Sequence, residues 1–400
     1  MKLLHTSDWH LGRTLYSKKE RQEEHFAFLN WLLYTIKEKS IDLLLVVGDV
    51  FDTASPSSSS QKLYYDFLLK VLKSGCQNVI IVGGNHDSPS FLNAPKDILA
   101  ALNICVIGNV SENIENEIIL IEDKDKMPLA IVCAVPFLRE REIVRFTEEE
   151  TYSDRSKRIA ENIRKHYRKI AEIAEVKRKN TGRNLPVIAT GHLSVAGGIT
   201  IPDDGVRETY IGNIECVDSE IFMPIFDYVA LGHYHTPSVV NETVRYCGSP
   251  IPMGFGEANQ KKSVAIADFN EGKAKITTLE IPTFQKLESI RGCKTFINNR
   301  LKDLIKTNTS VWVEIVYEGS DVFSDFSAWI YEMTDKTKVE IIRHQNKQYL
   351  NEILTHDDSM QSLDELNKFE VFDKLLEKNG ISDEQWKELR GLYQEITAHL

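Results

Sequence analysis

Five of the eleven histidines in this 400-residue chain fall in short motifs that each follow a predicted strand. The motifs read SDWH (Asp8, His10), GDVFD (Asp49), GGNHD (Asn85, His86), TGH (His192) and GHYH (His233, His235). Carboxyl ends of strands in α/β sheets are where ligands bind, because neighbouring loops converge there. Two carboxylates (Asp8, Asp49), one carboxamide (Asn85) and four imidazoles (His10, His192, His233, His235) form a mixed oxygen and nitrogen set, suited to Mn²⁺, Fe²⁺ or Zn²⁺. Seven protein ligands exceed what one tetrahedral ion accepts, so two metals are expected. With ions ~3.5–4 Å apart one carboxylate must bridge. Asp49, at the end of the most apolar and hence most central strand, is the natural bridge.

Residues i and i+2 of an extended chain share a face, so Asp8 with His10, and His233 with His235, are candidate pairs, unless a bend sends the two members to different ions. Taken alone, any of these residues reads equally as a core histidine or a capping aspartate. Five motifs at strand ends, in this order, do not. His86 is expected to differ from the rest. It sits between Asn85 and Asp87, and an aspartate hydrogen-bonded to an imidazole orients it and favours its protonated form. His86 with Asp87 therefore reads as catalytic, a general acid or a positive group beside the reacting phosphate, rather than as a ligand.

The elements that must position these residues alternate through the first hundred positions. Strands are predicted at Lys2 to Leu4, Ile41 to Val47 and Asn78 to Val82, with helices at Lys18 to Lys39, Gln61 to Lys73 and Ser90 to Leu102. Ser55 to Ser60 reads as a Ser-rich loop. Beyond Asn103, strands separated by turns are expected at 117–122, 129–135, 187–190, 228–231, 239–246, 263–268 and 273–281, interrupted by a charged helix at Ser153 to Lys179. So many strands point to an α/β fold with two sheets. The Pro282 region reads as a boundary, followed by a compact β-α-β-α-β pattern to His344 and a helical, acidic segment from Asn346 to Leu400. The expected domains are 1–281, 282–345 and 346–400.

Composition sets outer limits. The chain is 42% hydrophobic and 27% charged, which is globular and excludes disorder or coiled coil. No apolar run reaches the ~18 residues of a membrane span, and the N-terminus lacks a secretory h-region, so a cytoplasmic protein without membrane contact is expected. Six scattered cysteines argue against a disulfide framework or zinc ribbon. A net charge of -11 argues against holding nucleic acid through bulk positive charge.

The motif set TSDWHLG, GDVFDT, GGNHDS and GHYHTP, followed by GSP at Gly248 to Pro250, resembles the calcineurin-like metallophosphoesterases, and within them the SbcD family of bacterial nuclease subunits, related to the Mre nucleases. The resemblance implies two packed mixed β-sheets flanked by helices, a smaller α+β capping domain and a helical C-terminal tail. It assigns Asp8, His10, Asp49 and His235 to one metal, Asp49, Asn85, His192 and His233 to the other, and the catalytic role to His86. Mn²⁺ is the expected ion, with Mg²⁺, Fe²⁺ and Zn²⁺ as alternatives. Archaeal and eukaryotic relatives carry histidine where this chain has Asp52, which is read instead as a turn residue or one lying behind the ligands.

The implied activity is 3′-5′ exonuclease action on double-stranded DNA and endonuclease action on single strands or hairpins, gated by an ATPase. No GxxxxGK[ST] occurs, so ATP acts only through a partner chain, by resemblance an SbcC-like ATPase. Arg155 to Arg183 carries a local +8, and Arg164, Lys165, Arg168 and Lys169 are candidate DNA-contacting residues on a helix whose charges are otherwise simply solvated. The helix at Gln61 to Lys73 is apolar at eight of its first twelve positions. Burial on both sides accounts for that as well as dimerisation does, and the resemblance favours a homodimer within a heterotetramer. Phe369, Phe372, Leu375, Leu376, Trp386, Leu389, Leu392 and Tyr393 suit the partner's groove or the tail's own packing. The rival readings are another metallophosphoesterase, a nucleotide or protein phosphatase, and a non-catalytic scaffold. The second motif lacks the arginine of the phosphatase form GDxVDRG, and no ligand position is degraded.

Overall fold

A computed structural model describes residues 1–144, 152–201, 216–222, 224–269, 274–319 and 325–346, together with Trp386, Leu389 and Arg390. The chain forms two compact units, Met1–Leu287 and Glu288–Leu400.

The first unit holds two six-stranded mixed sheets. One runs in the order Lys275–Glu280, Ser263–Asp268, Lys2–Thr6, Leu43–Val47, Asn78–Val82, Ile104–Ile107, the last four strands parallel and Ser263–Asp268 antiparallel to Lys2–Thr6. The other runs Ser238–Val239, Val244–Tyr246, Tyr228–Gly232, Val187–His192, Pro128–Cys133, Ile118–Glu122, with its four middle strands parallel.

Strand alternation builds the layers. In Leu43–Val47, Leu43, Leu45 and Val47 face inward against Ala130, Val132, Ile188 and Ala230 of the second sheet. Leu44 and Val46 face outward under Phe28, Leu32, Phe67 and Val71 of the helices Gln22–Lys39 and Ser58–Leu72. The second sheet's outer face, with Cys133, Ala189 and Leu231, is covered by Ile163, Tyr167 and Ile170 of the helix Tyr152–Asn180. A strand buried on both faces has no polar alternation, which is why Leu43–Val47 reads as one apolar run.

Local chemistry accounts for the departures from expectation. The Ser-rich segment is a helix start: Ser57 caps Ser58–Leu72 by accepting from the Ser60 N–H at 3.2 Å. The helix expected over Ser90 to Leu102 is two, Pro89–Asn93 and Lys96–Ala100, interrupted at Pro95, which has no N–H to donate. The segment 239–246 is two short strands turned about Asn241, whose side-chain oxygen accepts from Thr243 N and Val244 N. The edge strand Ile104–Ile107, only four residues long, has no counterpart in the sequence reading.

In the second unit, strands Lys286–Gly292, Val311–Tyr317 and Val339–Asn346 form one sheet. Helices Lys294–Thr307 and Phe326–Thr334 share its core through Ile297, Leu301, Phe326 and Ile330. Of the expected apolar tail positions, only Trp386 and Leu389 are among the described residues, and Arg390 stacks 4.9 Å over Trp386. All six cysteines are free thiols.

Candidate metal centre

All seven residues expected as ligands meet at one end of the sandwich in the first unit. Asp8, His10, Asp49, His192, His233 and His235 are buried, and Asn85 is partly buried. Asp8, His10, Asp49 and His233 all have positive φ, of 52°, 47°, 49° and 101°. Left-handed backbone at non-glycine residues is costly and persists where surrounding structure dictates it. Here it follows from chains reversing just past the strand ends. Trp9, between Asp8 and His10, points the other way and packs edge-on against Phe28 and Phe67, anchoring the loop in the helix layer.

Glycines admit the close approach. A Cβ on Gly48 would lie 2.0 Å from His192 Nδ1, and one on Gly84 would lie 2.1 Å from Asp49 Oδ1. The loops are knit by their carboxylates: Asp8 Oδ1 accepts from His233 N at 2.9 Å, and Asp49 Oδ1 accepts from His86 N at 2.8 Å. Ser7, the first residue of the SDWH motif but not singled out by its type, donates its hydroxyl to Asp8 Oδ2.

Asp49 Oδ2 lies between two groups. On one side His10 Nε2 is 3.6 Å away and itself 3.1 Å from His235 Nε2, with Asp8 beside them. On the other side His192 Nε2 is 3.2 Å from Asp49 Oδ2 and 3.0 Å from Asn85 Oδ1, which also lies 3.2 Å from His233 Nδ1. The bend at His233 thus sends His233 and His235 to different halves.

The donor chemistry calls for cations. His10 Nδ1 faces the Asp52 carboxylate at 3.1 Å, and His192 Nδ1 faces the Val47 carbonyl at 3.1 Å. Both partners only accept, so each Nδ1 carries the hydrogen and, in the neutral ring, each Nε2 presents a lone pair to the centre. In the neutral rings, acceptor atoms of His10, His192, Asp49 and Asn85 converge at 3.0–3.6 Å, a gathering that an ion, or in its place a proton on His192, must bridge. These residues fit divalent metals.

Without an ion the electrostatics are frustrated. Burial and the nearby Asp49 charge push the Asp8 carboxyl upward, against the pull of His192. Burial also opposes ionisation of Asp49, but His192 outweighs it and holds that carboxyl well below the usual range. His192 is correspondingly raised to about 9, burial being overcome by Asp49. Burial lowers His10, and burial with the His192 charge lowers His233 to about 3, so both are neutral imidazoles fit to ligate.

The expected pairing of Asp87 with the His86 ring is corrected. The Asp87 carboxylate turns away and accepts from Val50 N (3.1 Å), Phe51 N (3.0 Å) and Gly84 N (2.9 Å), stapling the second motif to the third. His86 is oriented instead by Asp52, whose main-chain oxygen accepts from His86 Nδ1 at 2.9 Å. The Asp52 carboxylate serves His10 and Arg13 (3.0 Å), and these outweigh burial to hold it below the usual range. Arg139, one charge in the run Arg139-Glu140-Arg141-Glu142, gave no signal in the sequence. Its Nη2 donates to the carbonyls of Gly84 (3.0 Å) and Asp87 (2.8 Å), on either side of Asn85 and His86.

Arg164, Lys165, Arg168 and Lys169 are exposed on the helix Tyr152–Asn180, opposite its buried face. Arg164 and Lys165 pair loosely with Glu161, at 4.0 and 3.8 Å.

A sandwich of two mixed sheets with this cluster at its strand ends is that of a calcineurin-like phosphoesterase. The family model so described matches residues 1–237, and a second, described as the type 5 capsule protein repressor C-terminal domain, matches 283–379. The chain is 33% identical over 398 residues to the SbcD protein of the SbcCD nuclease of Escherichia coli K12, covering 98% of this chain and 97% of that one. It is 30% identical over 354 residues to the corresponding SbcCD nuclease protein of Bacillus subtilis, covering 87% and 83%. The chain belongs to the SbcD family of calcineurin-like phosphoesterases.

Proposed function

We propose that this chain is the nuclease component of a DNA end-processing complex, a two-metal phosphodiesterase that uses Mn²⁺. The observation that carries the reading is the Asp49 carboxylate, with Oδ2 between the His10 and His192 imidazoles. Asp8, His10, Asp49 and His235 would hold one ion, and Asp49, Asn85, His192 and His233 the other. When bound, the ions neutralise nonbridging phosphate oxygens and activate water.

The chain's own residues do the rest. The Asp52 carbonyl fixes the hydrogen on His86 Nδ1, leaving Nε2 free to carry a second proton and deliver it to the departing oxygen. His86 is partly exposed, unlike the buried imidazoles, so substrate can reach it. Arg139 and the Asp87 carboxylate keep its loop in place.

The relatives are named as one component of the SbcCD nuclease, which supports an SbcC-like ATPase partner. The chain has no P-loop sequence, so ATP would act through that partner, and residues 346–400 are assigned to binding it. Residues 282–345 would form the capping domain, and Arg164, Lys165, Arg168 and Lys169 would contact phosphates without reading sequence. Exonuclease action from 3′ to 5′ on duplex ends and endonuclease action on single strands or hairpins complete the reading. The reading places the chain in the cytoplasm; among the described residues no helix is long and apolar enough to cross a membrane.

A homodimer through the helices Gln22–Lys39 and Ser58–Leu72 is part of the proposal. The groove between them is lined by Phe26, Leu29, Leu33, Leu63 and Phe67. Phe26 and Leu69 are 52% and 53% exposed.

The test is incubation of the purified chain, with and without Mn²⁺ and the ATPase partner, with blunt duplex DNA, single-stranded DNA and a chromogenic phosphodiester. Mn²⁺-dependent cleavage of DNA is expected. Hydrolysis of the small ester with both DNAs untouched, even with the partner present, overturns the nuclease assignment.

A further inference from the structure

Two imidazoles of the centre have a carboxylate behind them. His10 Nδ1 meets Asp52 Oδ1 at 3.1 Å, and His235 Nδ1 lies 3.9 Å from Glu257 Oε1. Glu257 is fully buried, and its Oε2 is paired with Lys262, whose side chain is only 3% exposed. A buried ion pair is a weak source of stability, because desolvating both charges offsets their attraction. Its surroundings suggest another use. Lys262 Nζ donates to the main-chain oxygen of His235 at 3.0 Å, to Ser249 Oγ at 3.1 Å and to Gln260 Oε1 at 3.1 Å. The same His235 oxygen accepts from Ser249 N at 3.1 Å, and Glu257 Oε2 accepts from Met253 N at 2.9 Å. The pair therefore grips the backbone of His235 on one side and sets a carboxylate toward its ring on the other, while His235 Nε2 faces His10 Nε2 at 3.1 Å.

We propose that the buried Glu257–Lys262 pair is a positioning device for His235, holding Nδ1 toward Glu257 and Nε2 toward the centre, and so setting the metal affinity of the half formed by Asp8, His10, Asp49 and His235. The inference rests on the two-metal reading above. Partners behind ligating histidines commonly govern metal affinity by 10–100-fold.

Calorimetric titration of the metal-free full chain with Mn²⁺ is the test, on the unaltered protein, Glu257→Gln and the double variant Lys262→Met/Glu257→Gln, which leaves no lone buried charge. Each is first checked by a thermal melt. The unaltered chain is expected to bind two ions, and each variant to lose ~10–100-fold at one of them while the other changes less than about twofold. Failure of the unaltered chain to bind two ions defeats the two-metal reading. Two ions bound there, with both affinities unchanged in either folded variant, overturns the positioning role alone. A second measurement needs no variant. Ring ¹⁵N spectra of the chain loaded with diamagnetic Zn²⁺ are expected to place the His235 hydrogen on Nδ1, and a hydrogen on Nε2 overturns the proposal.

Discussion

The main-chain oxygen of Asp52 accepts a hydrogen bond from Nδ1 of His86 at 2.9 Å. Because a carbonyl cannot donate, the hydrogen stays on Nδ1 and Nε2 is left for the substrate. His86→Gln is expected to bind both metals as before and lose hydrolysis by ~10²–10⁴-fold. Metal titration beside an initial-rate assay checks this, and full activity of the variant removes the role assigned to His86.

The Asp52 side chain has a separate task at His10. Asp52→Ala keeps the carbonyl that orients His86 but removes the acceptor behind His10. It is expected to weaken one metal by ~10–100-fold, whereas Asp52→Asn, which retains a side-chain oxygen, loses less. Equilibrium dialysis against Mn²⁺ distinguishes the two.

Arg139→Met removes the clamp across Gly84 and Asp87. A small displacement of a catalytic loop costs on the order of 10²-fold, so a fall of that size in kcat is expected, with dimer and duplex binding retained. Unchanged kcat would make the arginine a surface brace only.

The dimer prediction depends on side-chain direction that sequence periodicity did not resolve. Tyr64 and Leu68 are each 1% exposed and belong to the core, so a charge there unfolds the protein and says nothing about association. Phe26→Glu with Leu69→Glu is expected to give a folded monomer in sedimentation equilibrium. A dimer that survives both substitutions lies elsewhere.

Acid sensitivity follows from histidines outside the ligand set. Burial lowers His5 to about 3, and burial with the Arg21 charge lowers His25 to about 3. In the unfolded chain both titrate near 6.5, so between about pH 6.5 and 3 the unfolded state binds more protons and stability falls as pH falls, by ~1.4 kcal/mol per pH unit per histidine. Urea melts of the metal-free chain from pH 7 to 4 are expected to show this slope, reduced in His5→Asn or His25→Asn. A slope identical to the unaltered chain's contradicts it.

Sequence spacing singled out the candidate ligands, and the structure brings them together, because each stands at a strand end, where residue type and position carry the chemistry together. It could not assign Asp87. Adjacency to His86 suggests a hydrogen bond, but successive side chains diverge, and Asp87 turns instead to three N–H groups of Val50, Phe51 and Gly84. Asp52, the last residue of the second motif, was legible as a residue behind the ligands, and its carboxylate does stand behind His10. Arg139, Glu257 and Lys262 act through contacts over 22 or more residues of chain, as single polar side chains that form no motif. The layers were legible where strands are long and apolar. Ile104–Ile107 was not, being four residues at a sheet edge.

The net charge of -11 is compatible with DNA because of its distribution: carboxylates at a metal centre, a basic helix face, and an acidic C-terminal segment. Neutralising Arg164, Lys165, Arg168 and Lys169 is expected to reduce the salt dependence of duplex binding. An unaltered salt slope moves the DNA surface elsewhere.

The central claim is that one carboxylate, Asp49, is shared between two metal ions. Anomalous scattering from crystals of the full chain soaked in Mn²⁺ tests it directly. Two peaks ~3.5–4 Å apart, on either side of Asp49 Oδ2, are predicted. A single peak, or two peaks of which only one touches Asp49, contradicts the account.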